Sequence, residues 1–228
     1  MGNIYLTIFD FILPRICASC GTKLTQDEKV ICSHCKDQLV FADNERLEHE
    51  YFRKFKKNNY IDDFTSLFVF ETGTPIQDLI HSVKYENKFR NGSYIGRQIA
   101  LNLKDTIISW QPSFIIPIPL HSLKKAERGY NQSYYIAKGI GTLLNIPVKQ
   151  NIIRRSRYTR TQTKLNMDER RENMRDAFLL KNRELINKSR IILLDDVITT
   201  GATVSECGKI LKENGAEKVF ALSAAIAD

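Results

Sequence analysis

The chain has 228 residues, of which 43% are hydrophobic and 26% charged, and its formal net charge is +8 at pH 7. This composition is typical of soluble globular proteins, and no apolar run approaches the roughly 18 residues that a membrane helix requires. The length suits one substantial domain with a smaller unit, and the positive charge favours polyanionic partners without identifying a reaction.

The N-terminal sequence MGNIYLTIFDFILPRIC is apolar, but it lacks a basic flank and Asp10 interrupts it. Both features argue against a secretory signal. Leu6 stands where N-myristoylation needs Ser or Thr. We therefore expect an amphipathic helix at the start of a cytoplasmic protein that has no integral membrane segment.

Four of the five cysteines form two pairs, CASC at 17–20 and CSHC at 32–35. Two such pairs supply the four thiolates of a structural zinc site, and bound zinc can contribute about 10–16 kcal/mol to a segment too short to bury its own core. Two disulfides or a redox-active pair are alternatives, which a reducing cytosol and the lack of a βαβ pattern disfavour. His34 is expected to be a bystander. The predicted zinc ligands are Cys17, Cys20, Cys32 and Cys35.

A charged and aromatic stretch at residues 46–65 predicts a linker between an N-terminal helix and zinc module at 1–45 and a main domain at 66–228. Strand-like and helix-like periodicities alternate in the main domain, which predicts an α/β fold with a mostly parallel sheet. The predicted strands are 66–70, 114–120, 148–153, 177–180, 191–194 and 219–227. The predicted helices are 75–85, 94–103, 134–144 and 203–214, with 121–132 and 154–175 as loops.

In the last of these helices, Cys207 shares a stripe with Val204 and Leu211. This spacing predicts a buried, unreactive thiol.

The segment LLDDVITTGAT at 193–203 joins a predicted strand to a predicted helix. In parallel sheets, ligands bind where strands end and helices begin, and the free N–H groups of a helix start bind phosphate. Because phosphate repels carboxylates, Asp195 and Asp196 should contact sugar hydroxyls or hydrated Mg²⁺ on the same ligand. A capped helix after two solvated acids is the alternative. The predicted phosphate-binding residues are Thr199, Thr200, Gly201, Ala202 and Thr203.

This segment resembles the phosphoribosyl pyrophosphate (PRPP) signature of type I phosphoribosyltransferases, in which the acidic pair holds the ribose hydroxyls and the Thr-Gly loop holds the 5′-phosphate. Three further stretches are LIHSVKYENK at 79–88, IPIPLHSLKKAERGYNQS at 116–133 and TRTQTKLNMDERRENMRDAF at 159–178. With the double Cys-x-x-Cys they resemble the ComF family of competence-associated proteins. The resemblance covers almost the whole chain and implies a zinc module before a phosphoribosyltransferase domain that binds PRPP with Mg²⁺.

The resemblance also implies that the loop after Pro119 faces the diphosphate. Arg128 can bind two phosphate oxygens at once and is, with Asp195 and Asp196, a candidate catalytic residue. Because electrostatic placement carries most of such a displacement, we assign no general base. A solvated surface is the alternative for the two lysines among the diphosphate candidates. These candidates are Lys124, Lys125, Arg128, Gly129 and Tyr130.

Residues 154–175 contain seven Arg and one Lys against three acidic residues. The resemblance places the flexible catalytic loop of phosphoribosyltransferases here. The mixture of arginines with an aromatic side chain is also typical of single-strand binders, and a solvated charged loop is the alternative. The candidate nucleic-acid-binding residues are Arg154, Arg155, Arg157, Tyr158 and Arg160.

Together these features predict a ComF-type protein that binds PRPP or a related phosphoribosyl ligand and single-stranded DNA in natural transformation, with proteins of the competence machinery as further partners. One alternative is an active transferase that moves the phosphoribosyl group to a nucleobase or amine. Another is a scaffold that has lost its ligand, against which the intact acidic pair and Thr-Gly loop argue.

Overall fold

A computed structural model describes residues 14–57, 59–86, 88–157 and 176–227. The amphipathic helix expected at the start of the chain falls on residues 1–13, outside this part. The strands are β1 (Asp63–Val69), β2 (Phe114–Pro117), β3 (Ile153–Arg155), β4 (Phe178–Leu180), β5 (Arg190–Ile198) and β6 (Lys218–Ile226). The helices are α1 (Ser33–Asp37), α2 (Asn44–Lys54), α3 (Pro75–Tyr85), α4 (Phe89–Asn102), α5 (Lys104–Ser109), α6 (Ser122–Arg128), α7 (Gln132–Leu144) and α8 (Ala202–Glu213).

Four parallel strands form the central sheet in the order β1-β6-β5-β2. Leu194 pairs with Leu222 between β5 and β6, and Ile116 pairs with Leu193 between β2 and β5. The apolar runs of the two central strands are buried on both faces, as parallel strands between helical layers require. β3 and β4 form a separate antiparallel pair. The predicted fold class, a mostly parallel α/β sheet, is confirmed.

Helices cover both faces of the sheet. On one face, α8 buries Val204, Cys207 and Leu211 against the sheet together with residues that follow α2. Cys207 is fully buried, as its stripe predicted, and burial raises the pKa of its thiol well above the ordinary value. On the other face, α3, α4 and α7 surround a second apolar cluster.

Close contact between α4 and α7 fixes the start of α7, which reaches the candidate site. A Cβ atom on Gly96 would lie 2.0 Å from the carbonyl oxygen of Ile136, and one on Gly139 would lie 2.3 Å from that of Ser93. Such distances are far below van der Waals contact, so only glycine allows the two backbones to approach this closely.

Several segments differ from the sequence prediction; among them, the strand expected at 148–153 is replaced by the short β3, and α5 was not predicted. Residues 46–65 were expected to be a linker, but they hold most of α2 and the start of β1; whether the chain divides into separate units at these bounds stays a prediction. Residues 121–132 were expected to be a loop, but they contain α6, which ends at Gly129 with φ 76°. α6 buries no residue and therefore has no apolar stripe. In α2 the buried positions are the charged pair Glu50 and Lys54, which mask a short stripe of Leu47 and Tyr51 against the core.

Candidate functional site

The predicted phosphate-binding residues form the turn between β5 and α8. Gly201 adopts a left-handed conformation, φ 73°, and precedes the first residue of α8. The hydroxyl of Thr200 accepts a hydrogen bond from the N–H of Ala202 at 3.4 Å. The turn therefore lies at the N-terminus of a 12-residue helix, where backbone N–H groups and the helix dipole favour an anion.

The end of α2 packs against this turn. A Cβ atom on Gly201 would lie 2.8 Å from the ring of Phe55. The buried ammonium of Lys54 donates hydrogen bonds to the carbonyl oxygens of Thr199 and of Ala227, and it lies 2.9 Å from Glu50 Oε2. Sequence reasoning missed this support, since the residues carry no motif.

The two carboxylates lie in the last part of β5, one beside the other, and their surroundings differ. Asp195 accepts a hydrogen bond from the hydroxyl of Ser133 at 3.3 Å, and burial together with the negative charge of Asp196 raises the pKa of Asp195 to about 7. Asp196 is buried and its Oδ2 lies 3.0 Å from Lys84 Nζ. One carboxyl group is thus poised to lose a proton near neutral pH, while the other is paired with a cation. Ser133 carries no sequence signal of its own, and Lys84 shows only as the basic end of α3.

A cluster of cations faces these carboxylates. Burial lowers the pKa of Lys124, and the positive charges of Arg155, Arg128 and Lys84 lower it further. Arg155 also interacts electrostatically with Asp195. We call Lys84, Lys124, Arg128 and Arg155 the cation cluster. It combines two predicted diphosphate residues with one residue predicted to contact nucleic acid.

A cleft of about 340 Å³ opens beside this cluster, between the loop after β2 and the β3–β4 pair. Four basic residues line it: Lys125, Arg154, Arg155 and Lys181. Asn131 also lines the cleft, only two residues before the Ser133 that bonds Asp195. The cleft is therefore a basic cavity that adjoins the acidic pair.

Two residues predicted to face the diphosphate contact the end of α3. The hydroxyl of Tyr130 donates a hydrogen bond to the carbonyl of Val83 at the end of α3. The guanidinium of Arg128 lies 5.1 Å from the ring centre of Tyr85. Arg157 is exposed just beyond β3, whereas the other two predicted nucleic-acid contacts, Tyr158 and Arg160, lie outside the described residues.

The four predicted zinc ligands come together. The sulfur atoms of Cys17, Cys20, Cys32 and Cys35 all lie within 4.8 Å of one another, and none of the four is in a disulfide. A hydrogen bond with the Thr22 hydroxyl lowers the pKa of Cys20 to about 6, which favours the thiolate that a metal needs. The cluster is compatible with structural zinc.

The cysteine cluster packs on the main sheet domain. The hydroxyl of Ser19 donates a hydrogen bond to Asp78 Oδ2 at 2.8 Å, and Tyr94 of α4 contacts the cluster. His34, expected to be a bystander, lies 3.1 Å from the side-chain nitrogen of Gln38 and is not among the grouped ligands. In the described part of the chain, no helix combines the length and the hydrophobicity that a membrane crossing needs.

Comparison with known proteins gives clear relatives, although no protein-family model matches the chain. Competence protein F of Haemophilus influenzae is 35% identical over 207 residues, which cover 89% of this chain and 81% of that protein. Competence protein ComFC of Bacillus subtilis is 25% identical, with 88% and 79% covered. DNA utilization protein YhgH of Escherichia coli O157:H7 is 34% identical over 149 residues, and the match spans only 64% of its length.

Solved structures that align with the chain are distant. A hypoxanthine phosphoribosyltransferase of Trypanosoma cruzi aligns with a TM-score of 0.36 and 14% identity, covering 60% of this chain and 64% of that one. A Leishmania tarentolae enzyme in complex with GMP aligns with a TM-score of 0.33 and 13% identity, covering 62% and 66%. Likeness at this level transfers no site residue. The similarity to competence protein F, in contrast, extends over most of both chains, and the chain belongs to the ComF family.

Proposed function

We propose that the protein binds PRPP, or a related ligand with a ribose 5-phosphate, and acts on single-stranded DNA during DNA uptake in the cytoplasm. One observation supports the proposed binding of PRPP. The phosphate-binding turn, the Asp195–Asp196 pair and the cation cluster all meet at one edge of the sheet.

Each group of the site matches one part of PRPP. The turn at the start of α8 offers N–H groups and hydroxyls to the 5′-phosphate. The two carboxylates accept hydrogen bonds from the ribose hydroxyls. Oxygen ligands of this kind also suit Mg²⁺, which Asp195 and Asp196 would help to hold and which would screen charge on the diphosphate.

The cation cluster supports a diphosphate partner. Burial lowers the pKa of Lys124, and the positive charges of Arg155, Arg128 and Lys84 lower it further. An anion with several oxygens relieves this repulsion, and Arg128 and Arg155 can each bind two of them. Lys125, which is exposed and lines the adjoining cleft, would join them.

Support for the proposed action on single-stranded DNA comes from the names of the relatives and from the positive charge of the chain. The relatives are named for competence and for DNA utilization. Arg154, Arg155 and Arg157 lie close together in sequence on and just after β3, where they can follow a phosphate backbone. Further partners would be proteins of the competence machinery. The four cysteines would hold one structural zinc ion.

Isothermal titration with PRPP, with and without Mg²⁺, tests the ligand. Loss of a hydrogen bond to a charged group removes about 1.5–3 kcal/mol, so Thr203→Ala should raise the Kd about 10- to 100-fold. Thr142→Ala, at an exposed position of α7, is the matched control and should bind like the parent. If PRPP and ribose 5-phosphate give no heat with the parent protein, the proposed ligand is wrong.

Phosphoribosyl transfer is the second candidate function. The cleft of about 340 Å³ falls in the range of small-molecule sites and adjoins the acidic pair, so it can admit an acceptor. Incubation with PRPP, Mg²⁺ and a panel of nucleobases and amines should then release pyrophosphate. If PRPP binds but no member of the panel causes release of pyrophosphate, these acceptors are excluded and only the binding function is supported.

A further inference from the structure

An exposed aromatic surface adjoins the candidate site, and apart from Tyr130, a candidate diphosphate residue, its members have no role in the proposed PRPP site. Tyr85 and Phe89 are 60% and 43% exposed, which is high for rings of this size. The rings of His81 and Tyr85 lie 4.6 Å apart, and Phe89 lies 5.0 Å from Tyr135 and 6.3 Å from Tyr130. We call these five residues the aromatic patch.

The patch borders the cation cluster. Lys84, adjacent in sequence to Tyr85, reaches Asp196 at 3.0 Å. The guanidinium of Arg128 lies over the Tyr85 ring, and its Nη2 donates a hydrogen bond to the Tyr85 hydroxyl at 3.4 Å. These contacts orient the ring while its surface stays open to solvent. Stacking surface and phosphate-binding charge therefore lie side by side.

The charge around the patch favours an anionic partner. Glu86, adjacent in sequence to Tyr85, is paired with Lys88 at 2.7 Å and lies 3.8 Å from His81. That acid is thus compensated, and Arg128 and Lys84 add positive charge. A nonpolar peptide would gain nothing from these cations, whereas single-stranded nucleic acid has both ring faces and phosphates.

We propose that the aromatic patch stacks bases of single-stranded DNA while the cation cluster, when the PRPP diphosphate does not occupy it, holds the neighbouring phosphates. This inference rests on the proposed function in DNA uptake and names the surface that performs it. It differs from the sequence prediction, which placed nucleic-acid contacts only on residues 154–160. Because a duplex hides its base faces, the patch selects single strands.

Fluorescence anisotropy with a labelled oligothymidine tests the patch in Tyr85→Ala and Phe89→Ala variants of the full chain. Stacking of one base on an aromatic side chain corresponds to about a 5- to 100-fold change in Kd, which is the loss expected for each variant. Tyr85→Phe keeps the ring and should bind nearly like the parent. Leu101→Ala removes an equally exposed apolar side chain, 63% exposed, at the far end of α4 and serves as control.

An abasic oligonucleotide of the same length separates stacking from charge. It should bind the parent and both alanine variants equally, since only phosphates remain. The Tm of each variant, expected within about 2 °C of the parent as for typical surface substitutions, confirms that the fold is intact.

Two outcomes would overturn the inference. If the parent binds oligothymidine and both alanine variants bind it equally well, the patch is not the stacking surface, although the proposed function stands. If free thymidine binds the patch but oligothymidine does not, the occupant is a nucleobase and not a strand. If the parent binds no DNA at all, the proposed DNA function is wrong. PRPP binding is decided separately by calorimetry.

Discussion

Replacement of Lys54 by Met should destabilise the fold and weaken PRPP binding for separable reasons. The Lys54 side chain is fully buried, lies 2.9 Å from Glu50 Oε2, and donates hydrogen bonds to the carbonyls of Thr199 and Ala227. Loss of one partner of a buried ion pair costs about 3–5 kcal/mol when the other charge is left without compensation. Glu50 keeps its ion pair with Arg53, at 2.7 Å, so the lower end of that range, about 3 kcal/mol, is expected here. For a protein of this size that corresponds to a fall in Tm of about 6–12 °C.

A second variant distinguishes the two effects. In Lys54→Met/Glu50→Gln the buried carboxylate is gone, so part of the lost stability should return. The carbonyl of Thr199 still lacks its donor, so the PRPP affinity should stay low. Differential scanning calorimetry and PRPP titration measure the two quantities, with the exposed Lys57→Met as control. If Lys54→Met melts within about 2 °C of the parent, as typical surface substitutions do, the buried pair does not support the turn.

Three further predictions concern the site and the cysteine cluster. Gly201→Ala should lower both Tm and PRPP affinity more than Gly73→Ala does: both positions have positive φ, but only at Gly201 would the new Cβ meet neighbouring atoms, the nearest at 2.8 Å. Metal analysis should find one zinc per chain, lost in Cys32→Ser but kept in Cys207→Ala. The folded-state pKa of Asp195, about 7, lies above its ordinary value of 3.8, so its contribution to stability is present below pH 3.8 and is lost as the pH rises through 7. The Tm of ligand-free Asp195→Asn should accordingly fall less than that of the parent between pH 5 and 8. Binding of Mg²⁺–PRPP by the parent should strengthen over the same range. If the Tm falls equally in both proteins, the raised pKa of Asp195 is wrong.

Local pattern was enough to predict part of this molecule. The two Cys-x-x-Cys pairs, the acidic pair before a Thr-Gly turn, and the alternation of strand and helix periods each lie within short stretches of sequence. The fold class, the cysteine cluster and the family follow from such stretches and are confirmed. The roles of the individual site residues remain predictions.

What the sequence did not reveal depends on contacts between distant residues. Lys54 lies 145 residues before Thr199, and Ser133 lies 62 residues before Asp195. No periodicity encodes such pairs. α2 was mistaken for a linker because charged residues fill its buried positions, and a buried charge is recognised only once its partners are known.

The position of α2 also connects the cysteine cluster with the turn between β5 and α8. Just after the cluster, the backbone of residues 40–42 pairs with β1, through Val69 N–H to Val40 O and Ala42 N–H to Leu67 O. α2 begins two residues later, and its last residue holds the carbonyl of Thr199. These hydrogen bonds and α2 form a short path from the cluster to the turn. Removal of the metal by a chelator should therefore reduce PRPP affinity as well as Tm, whereas Lys54→Met should reduce PRPP affinity with its metal still bound.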